Sequence, residues 1–138
     1  MRRIVLISCV KTKLDHSAKA EDLYISDLFK KNLAFAKKLR PDNIFILSAK
    51  YGLLRLNDHI APYDKTLKNL SVNERRDWSH AVITELHKYA NLSQDEFILL
   101  AGESYREFLI PYLRNYSIPF EGLSFGKQLK ALKQALSS

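Results

Sequence analysis

Three polar segments, each directly beyond an apolar run, hold the residue types with chemical potential in this chain. Ser8-Cys9-Val10-Lys11-Thr12-Lys13 follows Ile4 to Ile7, Ser48-Ala49-Lys50-Tyr51-Gly52 follows Ile44 to Leu47, and Gly102-Glu103-Ser104-Tyr105 follows Phe97 to Ala101. A fourth segment, Pro62-Tyr63-Asp64, lies in a stretch with neither helical nor strand period. Lysines neutralise phosphate charge, phenol rings stack on a base, and a carboxylate stabilises an oxocarbenium-like centre or orients a water. That inventory suits a phosphate-bearing, aromatic ligand. Asp64, Glu103 and Cys9 are the catalytic candidates, and Ser8, Lys11, Lys13, Ser48, Lys50, Tyr51, Gly52, Tyr63, Gly102 and Tyr105 are the candidates for holding the ligand.

Each residue also has a structural reading. Cys9 reads equally as a core thiol at a strand end, the commoner fate of a lone cysteine. The lysines read as solvated surface charge, and the tyrosines as packing residues with a hydrogen-bonded tip. Asp64 could serve only to start a turn, and Glu103 only to favour a helix N-terminus.

The elements that would bring these segments together follow from hydrophobic pattern. The runs at Ile4, Ile44 and Phe97 are continuous and rich in β-branched or aromatic residues, as in central strands covered on both faces. Ser26-Asp27 opens a helix with Leu28, Phe29, Leu33, Ala36 and Leu39 at helical spacing, ending at Arg40-Pro41. Ser71 with Glu74 three residues on is a capping-box signature, opening a helix whose face carries Trp78, Ala81, Val82, Leu86 and Tyr89. A helix from about Glu103 to Leu113, a short extended Ile118-Pro119-Phe120 and a last helix after Gly126 complete the pattern. Alternating strands and helices predict an α/β fold with three layers, a largely parallel central sheet and helices on both faces. Parallel strands place all three polar ends on one rim, where open sheets of this kind bind ligands.

Size and composition fit one domain over residues 1–138, with 46% hydrophobic residues to build a core. A single cysteine excludes an internal disulfide framework, and no apolar run has the length of a membrane span or a signal-peptide core, so a cytoplasmic protein without a membrane partner is expected. The net charge of +7 is unevenly spread, because residues 1–76 carry 16 Lys+Arg against 8 Asp+Glu while residues 77–138 carry 6 against 7. Such a balance points to a polyanion, nucleic acid being the commonest, or to a well-solvated surface. There is no GxxxxGK[ST] or GxGxxG phosphate loop, no helix-turn-helix or zinc-finger pattern, and no metal spacing among Cys9, His16, His59, His80 and His87. No cofactor and no metal are therefore expected, and the sequence names no protein partner.

The segments SCVKTK, LYISDLF, ILSAKYGLL, APYDKTL, LLAGESYREFL and the closing Gly122-Leu123 to Gly126, with the Trp78 helix, resemble a small bacterial and phage domain family similar to the YaaA peroxide-stress proteins. SCVKTK stands where YaaA-like proteins have a serine-proline-alanine-lysine run. Fainter similarity, in the CVKTK and YGLL to PYD segments, reaches the accessory domain of archaeosine synthase and archaeal transglycosylase-type enzymes. The resemblance implies a YaaA-like α/β domain linked to nucleic acids, through DNA binding and oxidative-damage protection in one relative and modified guanine of tRNA in the other.

Three functions follow as expectations. One is a base-handling protein, glycosylase-like or base-modifying, that acts on DNA or RNA with a nucleotide unit held by the rim lysines and tyrosines. Another is a non-catalytic DNA-binding stress-protection module. The third is an enzyme acting on a small nucleotide-like metabolite.

Overall fold

The computed structural model describes residues 1–137. Strand β1 (Arg3–Ser8) is the middle of the main sheet, because Ile4, Val5, Leu6 and Ile7 are all fully buried and need cover on both faces. Its neighbours come from later in the chain. A two-residue strand β2 (Ala18–Lys19), a short helix α1 (Ala20–Leu23) and helix α2 (Asp27–Lys38) lead to β3 (Asn43–Ser48). A hairpin then gives β4 (Gly52–Arg55), followed by β5 (His59–Ile60) and helix α3 (Val72–Leu86). Strand β6 (Glu96–Leu100), helix α4 (Glu103–Arg106), β7 (Asn115–Ser117) and helix α5 (Phe125–Ser137) follow. The main sheet has the order β4-β3-β1-β6-β7, in which β3, β1, β6 and β7 are parallel and β4 is antiparallel to β3.

The three-layer α/β architecture is as the sequence predicts. Helix α2, capped by the Ser26 hydroxyl accepting from the Phe29 amide at 3.1 Å, buries Phe29, Asn32 and Ala36 and packs against α5. On the other layer α3 buries Val82, Ile83 and Leu86 and packs against β4 and α4. Its capping box is formed in full, with the Ser71 hydroxyl on the Glu74 amide at 3.1 Å and the Glu74 carboxylate on the Ser71 amide at 3.0 Å. Ala81, expected on the packed face, is exposed, and Ile83 takes the place beside Val82.

Local geometry departs from the sequence expectation in three places. The Ser48 to Gly52 segment is a hairpin turn rather than an exit toward a ligand: Ser48 pairs with Gly52, and Gly52 has a φ of +76°, a conformation that costs a side-chain-bearing residue. The helix expected from Glu103 to Leu113 is interrupted, since α4 ends at Arg106 and a separate 3₁₀ turn holds Ile110–Tyr112, where Pro111 supplies no amide. The last strand lies at Asn115–Ser117 rather than 118–120, an exposed edge strand in which no apolar residue alternates.

The N-terminal ends of the central strands are pinned by carboxylates. Asp95 accepts from the Arg2 amide at 2.9 Å and the Asn91 amide at 2.8 Å, and Asp42 accepts from the Arg3 amide at 2.7 Å. Burial costs Asp95 its hydration, yet these amides hold its carboxyl below the usual carboxylate range. Among the described residues no helix is long and apolar enough to cross a membrane.

Candidate functional site

The chain leaves β1 toward β3 on one side and, after α3, passes back across β1 to β6 on the other. Connections therefore diverge at the carboxyl ends of β1 and β6, which is where an open α/β sheet forms a crevice. A cleft of about 780 Å³ occupies that position. Ser8, Cys9 and Lys11 enter it from the end of β1, Gly102, Glu103 and Tyr105 from the end of β6, and Lys13 and Asp64 from the flanking loops. These candidates, drawn from three separate polar segments, share one cavity.

The remaining candidates do not line it. Ser48 is fully buried, and its hydroxyl accepts from the Tyr51 amide at 3.0 Å while donating to the Tyr63 phenol at 2.8 Å. Lys50, Tyr51 and Gly52 belong to the hairpin, where the Lys50 ammonium lies 5.3 Å from the Tyr51 ring centre and the Tyr51 phenol donates to the Ala61 carbonyl at 3.3 Å. These residues lie in the turn, outside the cleft, with Lys50 and Tyr51 exposed. Tyr63 stands behind the cleft wall and carries the loop that presents Asp64.

Two hydrogen-bonded groups stand in and behind the cleft wall. The Tyr24 and Tyr63 phenols share a hydrogen bond of 2.6 Å, and the Cys9 thiol donates to the Tyr105 phenol at 3.3 Å. Burial raises all three phenols: Tyr24 is pushed up to about 12, and Tyr63 and Tyr105 higher still, with the neighbouring Cys9 adding to the effect. They stay neutral hydrogen-bonding groups at physiological pH. Trp78 braces the wall edge-on to Tyr105, at 5.7 Å between ring centres, and its indole N–H donates to the Ser48 carbonyl at 2.9 Å.

Lys13 is the cation nearest these groups. Its ammonium lies 4.4 Å from the Tyr63 ring centre and 5.8 Å from that of Tyr24, and it donates to the Lys11 carbonyl at 3.1 Å. Partial burial lowers its pKa, against which Cys9 and Asp64 both favour the charged form. Thiol, carboxylate and ammonium are thus within electrostatic reach of one another.

Several lining residues were not among the candidates. Lys65, Thr66, Lys68 and Asn69 come from the loop and 3₁₀ turn after Asp64, and Arg106 comes from α4. Lys68 was visible as charge, but nothing in its spacing said that the loop folds over the sheet ends. With Lys11 and Lys13 these give five cations against the carboxylates of Asp64 and Glu103. Phe120, Phe125 and Gln128 close the far side, Phe125 being 62% exposed. Among the described residues no group of three or more His, Cys, Asp or Glu side chains could hold a metal ion.

A search of curated proteins finds no match to this sequence. Residues 4–134 match the model of a family of unknown function, DUF6884, and the chain belongs to that family.

Proposed function

We propose that this member of DUF6884 is a base-handling protein that takes one nucleotide unit of DNA or RNA into the cleft at the ends of β1 and β6. Glycosylase-like cleavage or modification of the base is the reaction. The observation that carries this reading is the convergence of Cys9, Lys11, Lys13, Asp64, Glu103 and Tyr105 on one basic cleft of about 780 Å³. Its volume lies within the range of small-molecule sites and suits a single nucleotide.

In this reading Lys11, Lys65 and Lys68 contact phosphate at the rim, and Phe120 meets the base. Asp64 and Glu103 act at the sugar. In a hydrolytic cleavage a C1′–O bond forms from water as the C1′–N bond breaks, the base departing with the bonding electron pair. One carboxylate takes the proton from water, and the departing base takes a proton from solvent or from the other carboxyl in its acid form. Cys9 is the alternative nucleophile, since a thiolate there would accept a hydrogen bond from the Tyr105 phenol, with Lys13 close by to balance its charge.

The test is incubation with single- and double-stranded DNA and RNA bearing ordinary and modified bases, followed by mass spectrometry of released bases and of the remaining strand. Release or modification by the wild type and its loss in Asp64→Asn is the expected result. Identical inactivity of the two across a broad panel would remove the enzymatic reading. A second reading, an enzyme for a small nucleotide-like metabolite, is favoured by the same volume, which lies in the range of small-molecule sites.

A further inference from the structure

The helix that forms the far wall of the cleft is cationic on its other side. Phe125 and Gln128, from the first turns of α5, line the cleft. The opposite, solvent-facing side of that helix carries Lys127, Lys130 and Lys133, all exposed, and no acidic residue occurs after Glu121. None of the three lysines forms an ion pair with a described residue. Lys130 and Lys133 line a shallow surface groove with Gln134 and Ser137. From Lys127 to Lys133 the face extends for roughly 9 Å at the rise of an α-helix.

A free mononucleotide held in the cleft has no use for charge on the helix side turned away from it. A strand does. We propose that α5 is the track for a single-stranded nucleic acid whose one nucleotide enters the cleft, with Lys127, Lys130 and Lys133 on successive phosphates and Phe125 as a stacking platform for the adjacent base. The charge on this face is entirely of one sign, which matches a polyphosphate backbone. Phe125, exposed in the first turn of α5 where the helix begins at the cleft, supplies the flat apolar surface that unpaired bases use regardless of sequence. The inference rests on the cleft taking a nucleotide unit and deepens that reading by naming a strand as the substrate class.

Fluorescence anisotropy with a labelled mixed-sequence single strand of about twelve nucleotides, a length near the top of the usual site size, tests it. DNA and RNA versions, a labelled nucleoside monophosphate and polyglutamate as a competing polyanion complete the set. The variants are Lys127→Gln/Lys130→Gln/Lys133→Gln, Phe125→Ala and, in the cleft, Lys13→Gln, each checked for an unchanged circular dichroism spectrum.

The triple variant should bind the strand more weakly and lower the slope of log affinity against log salt by about 2, at roughly 0.7 per phosphate contact for a single strand. Its affinity for the monophosphate should stay that of the wild type. Phe125→Ala should weaken strand binding without changing the salt slope. Unchanged strand affinity in the triple variant overturns the track, as does competition by polyglutamate equal to that of unlabelled strand. Failure of the cleft reading looks different, because then Lys13→Gln would leave strand and monophosphate binding alike untouched.

Discussion

The Ser48 hydroxyl donates to the Tyr63 phenol across 2.8 Å, joining the end of the strand β3 to the loop that carries Asp64. Ser48 is fully buried, and Tyr63 also shares the 2.6 Å bond with Tyr24. The position of a candidate catalytic carboxylate therefore depends on a buried hydroxyl cluster that makes no direct claim on the ligand.

Removing that cluster's central oxygen should be costly. Tyr63→Phe keeps the ring but removes the hydrogen-bond partner of the buried Tyr24 hydroxyl and the acceptor for the Ser48 proton, while Ser48 keeps the Tyr51 amide, a loss of about 1–3 kcal/mol in stability. Urea unfolding should show it as a lower midpoint at unchanged slope.

The two carboxylates should behave in the opposite way. Asp64 and Glu103 are exposed, so Asp64→Asn and Glu103→Gln should alter stability by less than about 0.5 kcal/mol. Turnover, where the substrate panel reveals it, should fall by about 10²-fold or more in whichever variant has lost the group that moves the proton. Parallel thermal melts and rate measurements separate the two effects.

Asp95 predicts a pH dependence. Its carboxyl is held below the usual range by the Arg2 and Asn91 amides, so its ionised form favours the folded state. That contribution is fully present above the unfolded-state pKa of about 3.9 and is lost as pH falls through the lower folded-state value. Wild type should exceed Asp95→Asn in stability at neutral pH, and the difference should shrink in acid below about pH 4. Chemical denaturation across that range measures it.

Gly52 predicts a backbone effect. A methyl group there would meet only Val82 Cγ2 at 3.9 Å, an ordinary contact, so space is not the constraint. The φ of +76° is, and Gly52→Ala should destabilise the protein by about 1–2 kcal/mol. Calorimetry on this variant should show a lower melting temperature.

The central strands were legible because burial on both faces leaves a continuous apolar run, as at Ile4 to Ile7, and the start of α3 because the capping box is local. Both signals are complete within a few residues. The hairpin was harder: Lys50, Tyr51 and Gly52 are equally good turn and ligand residues, and only the pairing of Leu53 and Leu54 with β3 shows that the chain turns back there. Candidates at the ends of β1 and β6 do share a cleft because parallel neighbours must end on the same rim. Lys65, Lys68, Phe120 and Phe125 reach it through loop and helix packing over long sequence separations, for which no short-range pattern exists.

The order of the sheet also bears on how the chain is born. The strand at residues 3–8 is made before the four it joins in its sheet, and its partner at 96–100 follows only after residues 9–95 have been added. Until then its greasy side chains have no lasting second neighbour. Completion of the sheet waits on that late arrival, so these side chains stay open to water for much of the time the chain is being made.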